Sequence, residues 1–128
     1  MNSRYSRQVI LPNIGPEGQE TLLKSKVAIV GCGALGTTIA NNLARAGVGD
    51  LLIIDRDLVE LNNLQRQILF DEEDVGTPKV IAAARKLKKI NSGIRINYFL
   101  KDLNNTNIES IIDGYQLVVD ATDNVPTR

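Results

Sequence analysis

Residues 26–55 read KVAIVGCGALGTTIANNLARAGVGDLLIID, and the order of polarity within them decides the fold. Positions 27–30 are apolar and mostly β-branched, and Gly31-x-Gly33-x-x-Gly36 follows at once, so the glycines fall where a strand passes into a helix. Gly31 permits a tight turn, Gly33 removes the side chain that would block a phosphate, and Gly36 lets the helix pack closely on the strand. The helix N-terminus adds unpaired N–H groups and roughly half a positive charge. Asp55 closes the second strand, where an acid accepts hydrogen bonds from ribose hydroxyls. Glycines, flanking elements and terminal acid together point to a nucleotide site. The competing reading is a glycine turn that serves only close packing.

Outward from this stretch, β and α patterns alternate. The spacing predicts an arm of mixed polarity over 5–11, a short helix over 16–24 opened by Gly15-Pro16, a strand over 26–31 and a helix over 34–46. After a turn over 47–50, a second strand covers 51–55. Residues 56–76 form a long polar connection expected to hold short helical turns, and connections of that length inside a domain are usually functional or disordered. A helix is expected to start at Thr77 with Pro78 in its first position and to run to Asn91. A third strand over 94–100, a brief helix over 107–113 and a buried fourth strand over 117–121 complete the pattern. The expectation is an α/β fold, a Rossmann-like parallel β-sheet with helices on both faces, preceded by an N-terminal arm and short helix. The division expected is 1–25 for the arm and helix and 26–128 for the Rossmann-like domain.

Composition narrows the chemistry. Of 128 residues, 43% are hydrophobic and 23% charged, and fifteen basic residues balance fifteen acidic ones, so no global field draws the chain to nucleic acid or membrane. The basic run 85–89 lies on a helix without interleaved aromatics and reads as a solvated face. The chain has no histidine, which excludes imidazole catalysis and histidine metal ligation within it. Its single cysteine, Cys32, cannot form an internal disulfide or build a zinc site, and no signal peptide or long apolar run appears; a reducing cytoplasm is expected. Cys32 reads as a small packing residue rather than a nucleophile.

The segments RYSRQVILPNIGPEGQETL (4–22), VAIVGCGALG (27–36), LLIIDRDLVELNNLQRQILF (51–70), DVGTPKV (74–80) and VVDATDN (118–124) span nearly the whole chain. Taken in that order, the chain resembles the N-terminal, nucleotide-binding part of the ubiquitin-activating-type adenylating enzymes of the MoeB/ThiF/HesA family. NLQRQ followed by a GxPK segment and TDN is far more specific than the glycine motif. The resemblance implies ATP-dependent adenylation of the C-terminal glycine of a ubiquitin-like sulfur-carrier protein of the thiamine or molybdopterin type, with release of pyrophosphate. It implies ATP and magnesium as cofactors and a homodimer in which Arg7 of the arm reaches the neighbouring subunit's ATP site. Family members continue with further strands, paired zinc cysteines and often an acceptor cysteine, so the chain is expected to be one portion of such an enzyme. Ala34 departs from the family pattern, standing where the glycine loop often carries another glycine.

The residue types suit that chemistry. A carboxylate attacking an α-phosphate is already ionised at neutral pH and needs positioning and charge neutralisation rather than a strong base. Arg66 and Lys79 would supply positive charge to the triphosphate, Asp123 would bind magnesium, and Asp55 would hold the ribose. Gly31, Gly33, Ala34 and Gly36 line the phosphate turn, while Asn62, Asn63 and Asn124 offer amides for phosphate and sugar. Duller readings stand beside these: Arg66 and Lys79 as solvated charges, Asp123 as a turn cap, and Asp57 as a cap rather than a metal ligand. Two other functions use the same fold, a nicotinamide-dependent oxidoreductase served equally by the glycine loop and Asp55, and a non-catalytic interaction module.

Overall fold

The computed structural model describes residues 3–101, 104 and 106–122. Its centre is a parallel sheet of β1 (Lys26–Val30), β2 (Asp50–Ile54), β3 (Arg95–Phe99) and β4 (Leu117–Asp120), in the order β3-β2-β1-β4. Lys26 pairs with Asp50, Asp50 with Arg95 and Val27 with Leu117, so the strands begin nearly level. The helices are α1 (Ser6–Val9), α2 (Gly15–Lys24), α3 (Ala34–Ala46), α4 (Lys79–Ile90) and α5 (Ile108–Ile112).

Successive side chains of a strand point to opposite faces, and the core divides accordingly. Val27, Ile29, Leu51, Ile53 and Ile96 pack with Ala40 and Ala44 of α3 and Val80, Ala83 and Leu87 of α4. Ala28, Val30, Leu52 and Ile54 pack with Ile111, Ile112 and Tyr115 on the other face. The sheet is therefore covered on both sides, as the alternation predicts. Ile29, Leu51 and Ile53 are fully buried, and each contributes about 1.5–3 kcal/mol by leaving water.

Two elements differ from the sequence expectation. The apolar run of β4 predicts a buried strand, yet Leu117 and Val118 are 55% and 38% exposed, because β4 pairs only with β1 and forms a sheet edge among the described residues. Next, α4 begins at Lys79 rather than Thr77. Thr77 precedes a proline, which disfavours helical backbone, and Pro78 is extended with ψ 133°. That backbone is instead paired with the start of the long connection: Val59 N–H donates to the Thr77 carbonyl at 2.8 Å, and Lys79 N–H to that of Asp57 at 2.9 Å. The connection holds 3₁₀ turns at Leu61–Asn63 and Glu72–Asp74, as expected.

The expected N-terminal arm of mixed polarity holds helical turns, a 3₁₀ turn at Ser3–Tyr5 leading into α1, and it docks on its own chain. Tyr5 is buried, and its hydroxyl accepts a hydrogen bond from Asn91 Nδ2 at 2.8 Å; the same amide donates to the Ala44 carbonyl. Gln8 and Gln19 both donate to the Ala46 carbonyl, and Gln8 also donates to the Gln19 side chain. Arg7, Ile10 and Leu11 stay exposed. The docking depends on Gly47, the C-cap of α3, which has φ +93° and where a Cβ would lie 2.6 Å from the Tyr5 ring.

Gly47→Ala is expected to destabilise the chain by about 2–4 kcal/mol, the sum of a left-handed alanine and an overpacked contact. Urea denaturation checks this, and the cost of Gly47→Ala should be smaller when measured in a Tyr5→Ala background, where the ring it meets is gone.

Candidate nucleotide site

The glycine turn leaves the carboxyl end of β1, with β2 on one side and β4 on the other. The chain visits β2 and β3 on one side of β1 and crosses to β4 on the other, which makes this a topological switch point, where open parallel sheets take ligands. The three glycines are needed for different reasons. Gly31 has φ +102°, and a Cβ there would lie 2.9 Å from the Ala121 backbone. At Gly36 a Cβ would fall 1.9 Å from the Gly31 carbonyl oxygen, so the helix can approach the turn only without one. Gly33 is unlike both. Its φ is negative, at −91°, and a Cβ would meet nothing closer than Gln67 Nε2 at 3.7 Å. The fold tolerates a side chain at this position, and only something approaching from outside would be obstructed by it. Gly33 is also the N-cap of α3, which has no side-chain cap, so the helix presents its first N–H groups and positive dipole end there. Ala34 opens that helix and is exposed.

Asp55 grips the turn. Its Oδ2 accepts the Cys32 N–H at 2.7 Å and its Oδ1 accepts the Asp57 N–H at 2.8 Å. A carboxylate has about four acceptor positions, so each oxygen can still accept from a hydroxyl. The cap of the following turn is thus Asp55; the Asp57 carboxylate is exposed and lies 3.8 Å from Arg56 Nε. Cys32 is fully buried with its Sγ 3.9 Å from the Lys79 carbonyl oxygen. Burial pushes its thiol far above the ordinary range, the Asp55 carboxylate raises it further and the Lys79 ammonium opposes both. The thiolate is the nucleophilic form, so Cys32 packs and does not react.

Lys79 is the first residue of α4 and is buried, and its charge and that of Asp55 both act on Cys32. Arg66 is exposed, with its guanidinium folded back to donate to the Asn62 carbonyl at 2.9 Å. Asn62 is exposed and accepts from Asn63 Nδ2 at 3.2 Å. Asn63 is buried, and its Oδ1 accepts the Glu60 N–H at 2.8 Å, so that oxygen holds the 3₁₀ turn together. Gln67, one residue beyond Arg66, is buried against the Gly33 turn. Sequence reading passes over it; the only signal was its place at the end of NLQRQ.

The structure therefore brings Gly31, Gly33, Ala34, Gly36, Asp55 and Lys79 together, with Arg66 on the adjoining connection. Arg7 is not among them. Its helix is docked at the C-terminal end of α3, whereas the glycine turn enters the N-terminal end, and 13 residues at about 1.5 Å each separate the two by about 20 Å. Asp123 and Asn124 lie outside the described residues. Among the described residues no helix is long and apolar enough to cross a membrane.

The parallel sheet, its order and the glycine turn at the switch point define a Rossmann-like α/β protein. The chain belongs to the ThiF family, whose model matches residues 5–128. It is 46% identical over 125 residues to the sulfur carrier protein adenylyltransferase of Thermus thermophilus, covering 98% of this chain and 46% of that protein. It is 47% identical over 130 residues to the sulfur carrier protein ThiS adenylyltransferase of Bacillus subtilis, covering all of this chain and 39% of the relative. Among solved structures, the Escherichia coli tRNA N6-threonylcarbamoyladenosine dehydratase TcdA in complex with ATP superposes with a TM-score of 0.91 at 29% identity, over 97% of this chain and 51% of that one. The chain thus spans about half the length, or less, of these relatives.

Gly33→Ala is expected to leave thermal stability within about 1 kcal/mol of the parent, because its Cβ makes only an ordinary contact, while weakening nucleotide binding at least tenfold. Gly36→Ala should instead cost about 3 kcal/mol or more, through overpacking against the Gly31 carbonyl. Thermal melts paired with ATP calorimetry separate the two glycines.

Proposed function

We propose that the chain is the nucleotide-binding portion of an enzyme that uses ATP to adenylate the C-terminal glycine of a ubiquitin-like sulfur-carrier protein. The observation that carries this reading is Gly33, a glycine that the fold does not require, set at an uncapped helix N-terminus beside a carboxylate and a buried lysine. Membership of the ThiF family and the names of the sulfur-carrier adenylyltransferases that it resembles support the choice of reaction.

In the proposed reaction the carrier's carboxylate oxygen bonds to the α-phosphorus of ATP, the bond from that phosphorus to the bridging oxygen breaks, and pyrophosphate leaves with the electron pair. The attacking group is ionised at neutral pH, so no base is required. The protein contributes position and positive charge. The first N–H groups of α3, from Ala34 onward, face the phosphates, and the spare acceptor positions of Asp55 take the ribose hydroxyls. Lys79 supplies a fixed cation, and Arg66 exchanges the Asn62 carbonyl for the triphosphate. Asn62 and Asn124 offer further amides, while Asn63 acts through the shape of the turn that it closes. Asp123 is the proposed carboxylate for magnesium, which neutralises phosphate charge when bound. Arg7, on a helix docked at the far end of α3 from its own chain's glycine turn, serves the site of a second subunit, so the proposed assembly is a homodimer. A reducing cytoplasm is the compartment proposed, in keeping with a free buried thiol.

Calorimetry with ATP–magnesium and with NAD tests the nucleotide. Tighter binding of ATP is expected, with Arg66→Ala weakening ATP about tenfold and AMP less, whereas equal or tighter NAD binding would overturn adenylation. The reach across subunits is checked by mixing Arg7→Ala chains with Arg66→Ala chains. Each mixed dimer has one site with both substitutions and one with neither, so binding should partly recover; a strictly monomeric protein, or a mixed dimer without recovery, rejects the role of Arg7.

A further inference from the structure

Gln67 is 4% exposed, and its Oε1 is shielded from solvent with no hydrogen-bond partner among the described residues. Its Nε2 is the atom nearest to the open side of Gly33, 3.7 Å from where a Cβ would stand. The backbone beneath is firmly held, since Gln67 N–H donates to the Asn63 carbonyl at 2.9 Å and the Gln67 carbonyl accepts from Phe70 N–H. A rigid backbone thus carries a side-chain amide that the fold does not pin. Exchanging the amide nitrogen and oxygen by a half turn leaves the same imbalance, one end at Gly33 and the other unpaired. An apolar side chain of similar length would fill this space without burying an unpaired acceptor, so the fold itself gains little from an amide here.

We propose that Gln67 reads the nucleotide directly, its amide N–H donating to a phosphate oxygen seated over Gly33. The pairing of features supports a phosphate. Gly33 keeps the backbone clear of the incoming group, the α3 N-terminus faces it, and the amide closes the side on which a Cβ would otherwise stand. Unlike Arg66 and Lys79, the amide adds a directed donor without charge, which fixes where the anion sits rather than how strongly the region attracts anions in general. The proposal rests on the nucleotide reading of the glycine turn and adds a residue to it.

The test uses the whole chain with Gln67→Met and Gln67→Glu, read by thermal melts without nucleotide and by calorimetry with ATP–magnesium and with adenosine. Gln67→Met should melt at or above the parent temperature, bind ATP about tenfold more weakly and bind adenosine unchanged. Gln67→Glu, which keeps the shape and adds a negative charge, should weaken ATP further while sparing adenosine. A lower melting temperature with ATP affinity unchanged would assign Gln67 to the fold and overturn the proposal. Equal losses for ATP and adenosine would also overturn it, since the contact would not be to phosphate. If the methionine variant does not fold, the glutamate variant decides by the same ratio. Failure of the parent chain to bind either compound would instead remove the nucleotide reading itself, and the proposal with it.

Discussion

A single carboxylate holds the glycine-turn end of this molecule together. Asp55 accepts the Cys32 N–H on one oxygen and the Asp57 N–H on the other, at 2.7 and 2.8 Å. These charge-assisted bonds are shorter and roughly twice as strong as neutral ones. They tie the glycine turn after β1 to the end of β2 and to the first residues of the long connection. The Lys79 N–H then donates to the Asp57 carbonyl, and Cys32 packs against the Lys79 carbonyl, so the N-terminus of α4 joins the same cluster. Three segments apart in sequence, the glycine turn, the end of β2 with the residues after it, and the start of α4, are thereby set at the carboxyl end of the strands.

At the opposite end of the strands a second polar cluster does a different job. Tyr5, Gln8, Gln19 and Asn91 satisfy one another and the last carbonyls of α3, groups that a helix end leaves unpaired. This network docks the N-terminal helices firmly and holds them away from the glycine turn. The helix α3 acts as a spacer between the two clusters, with Gly33 at one end and Gly47 at the other. The position of Arg7 follows from that length, and so does the proposal that it serves a neighbouring chain.

Much of the fold was legible because its signals are local. Alternating faces in the strands, the glycine turn, Pro16 at the opening of α2 and Gly47 at the close of α3 each act within a few residues. The misread elements each depended on a distant partner. β4 is apolar enough for a buried strand, and its exposure follows from sheet order. Thr77 and Pro78 carry a helix-start signal, but their backbone pairs with residues 57–59, which sequence spacing does not reveal. The docking site of the arm is not visible in the sequence, because the groups that receive it, Ala46 and Asn91, lie at the ends of two helices that meet only in the folded chain.

By itself the sequence determined the order of strands and helices, the position of the glycine turn and the residue types set near it, since periodicity and glycine spacing act over one turn or one strand. Tertiary structure alone decided which candidates meet. It joined Asp55 to the turn by its backbone, gave Asn63 to a loop cap and set Arg7 at the far end of α3. It also showed that Gly31 and Gly36 are required by the chain's own atoms while Gly33 is not, and brought Gln67 to that open side. Such distinctions depend on distances between segments tens of residues apart, and those distances are set only when the sheet and its helices pack.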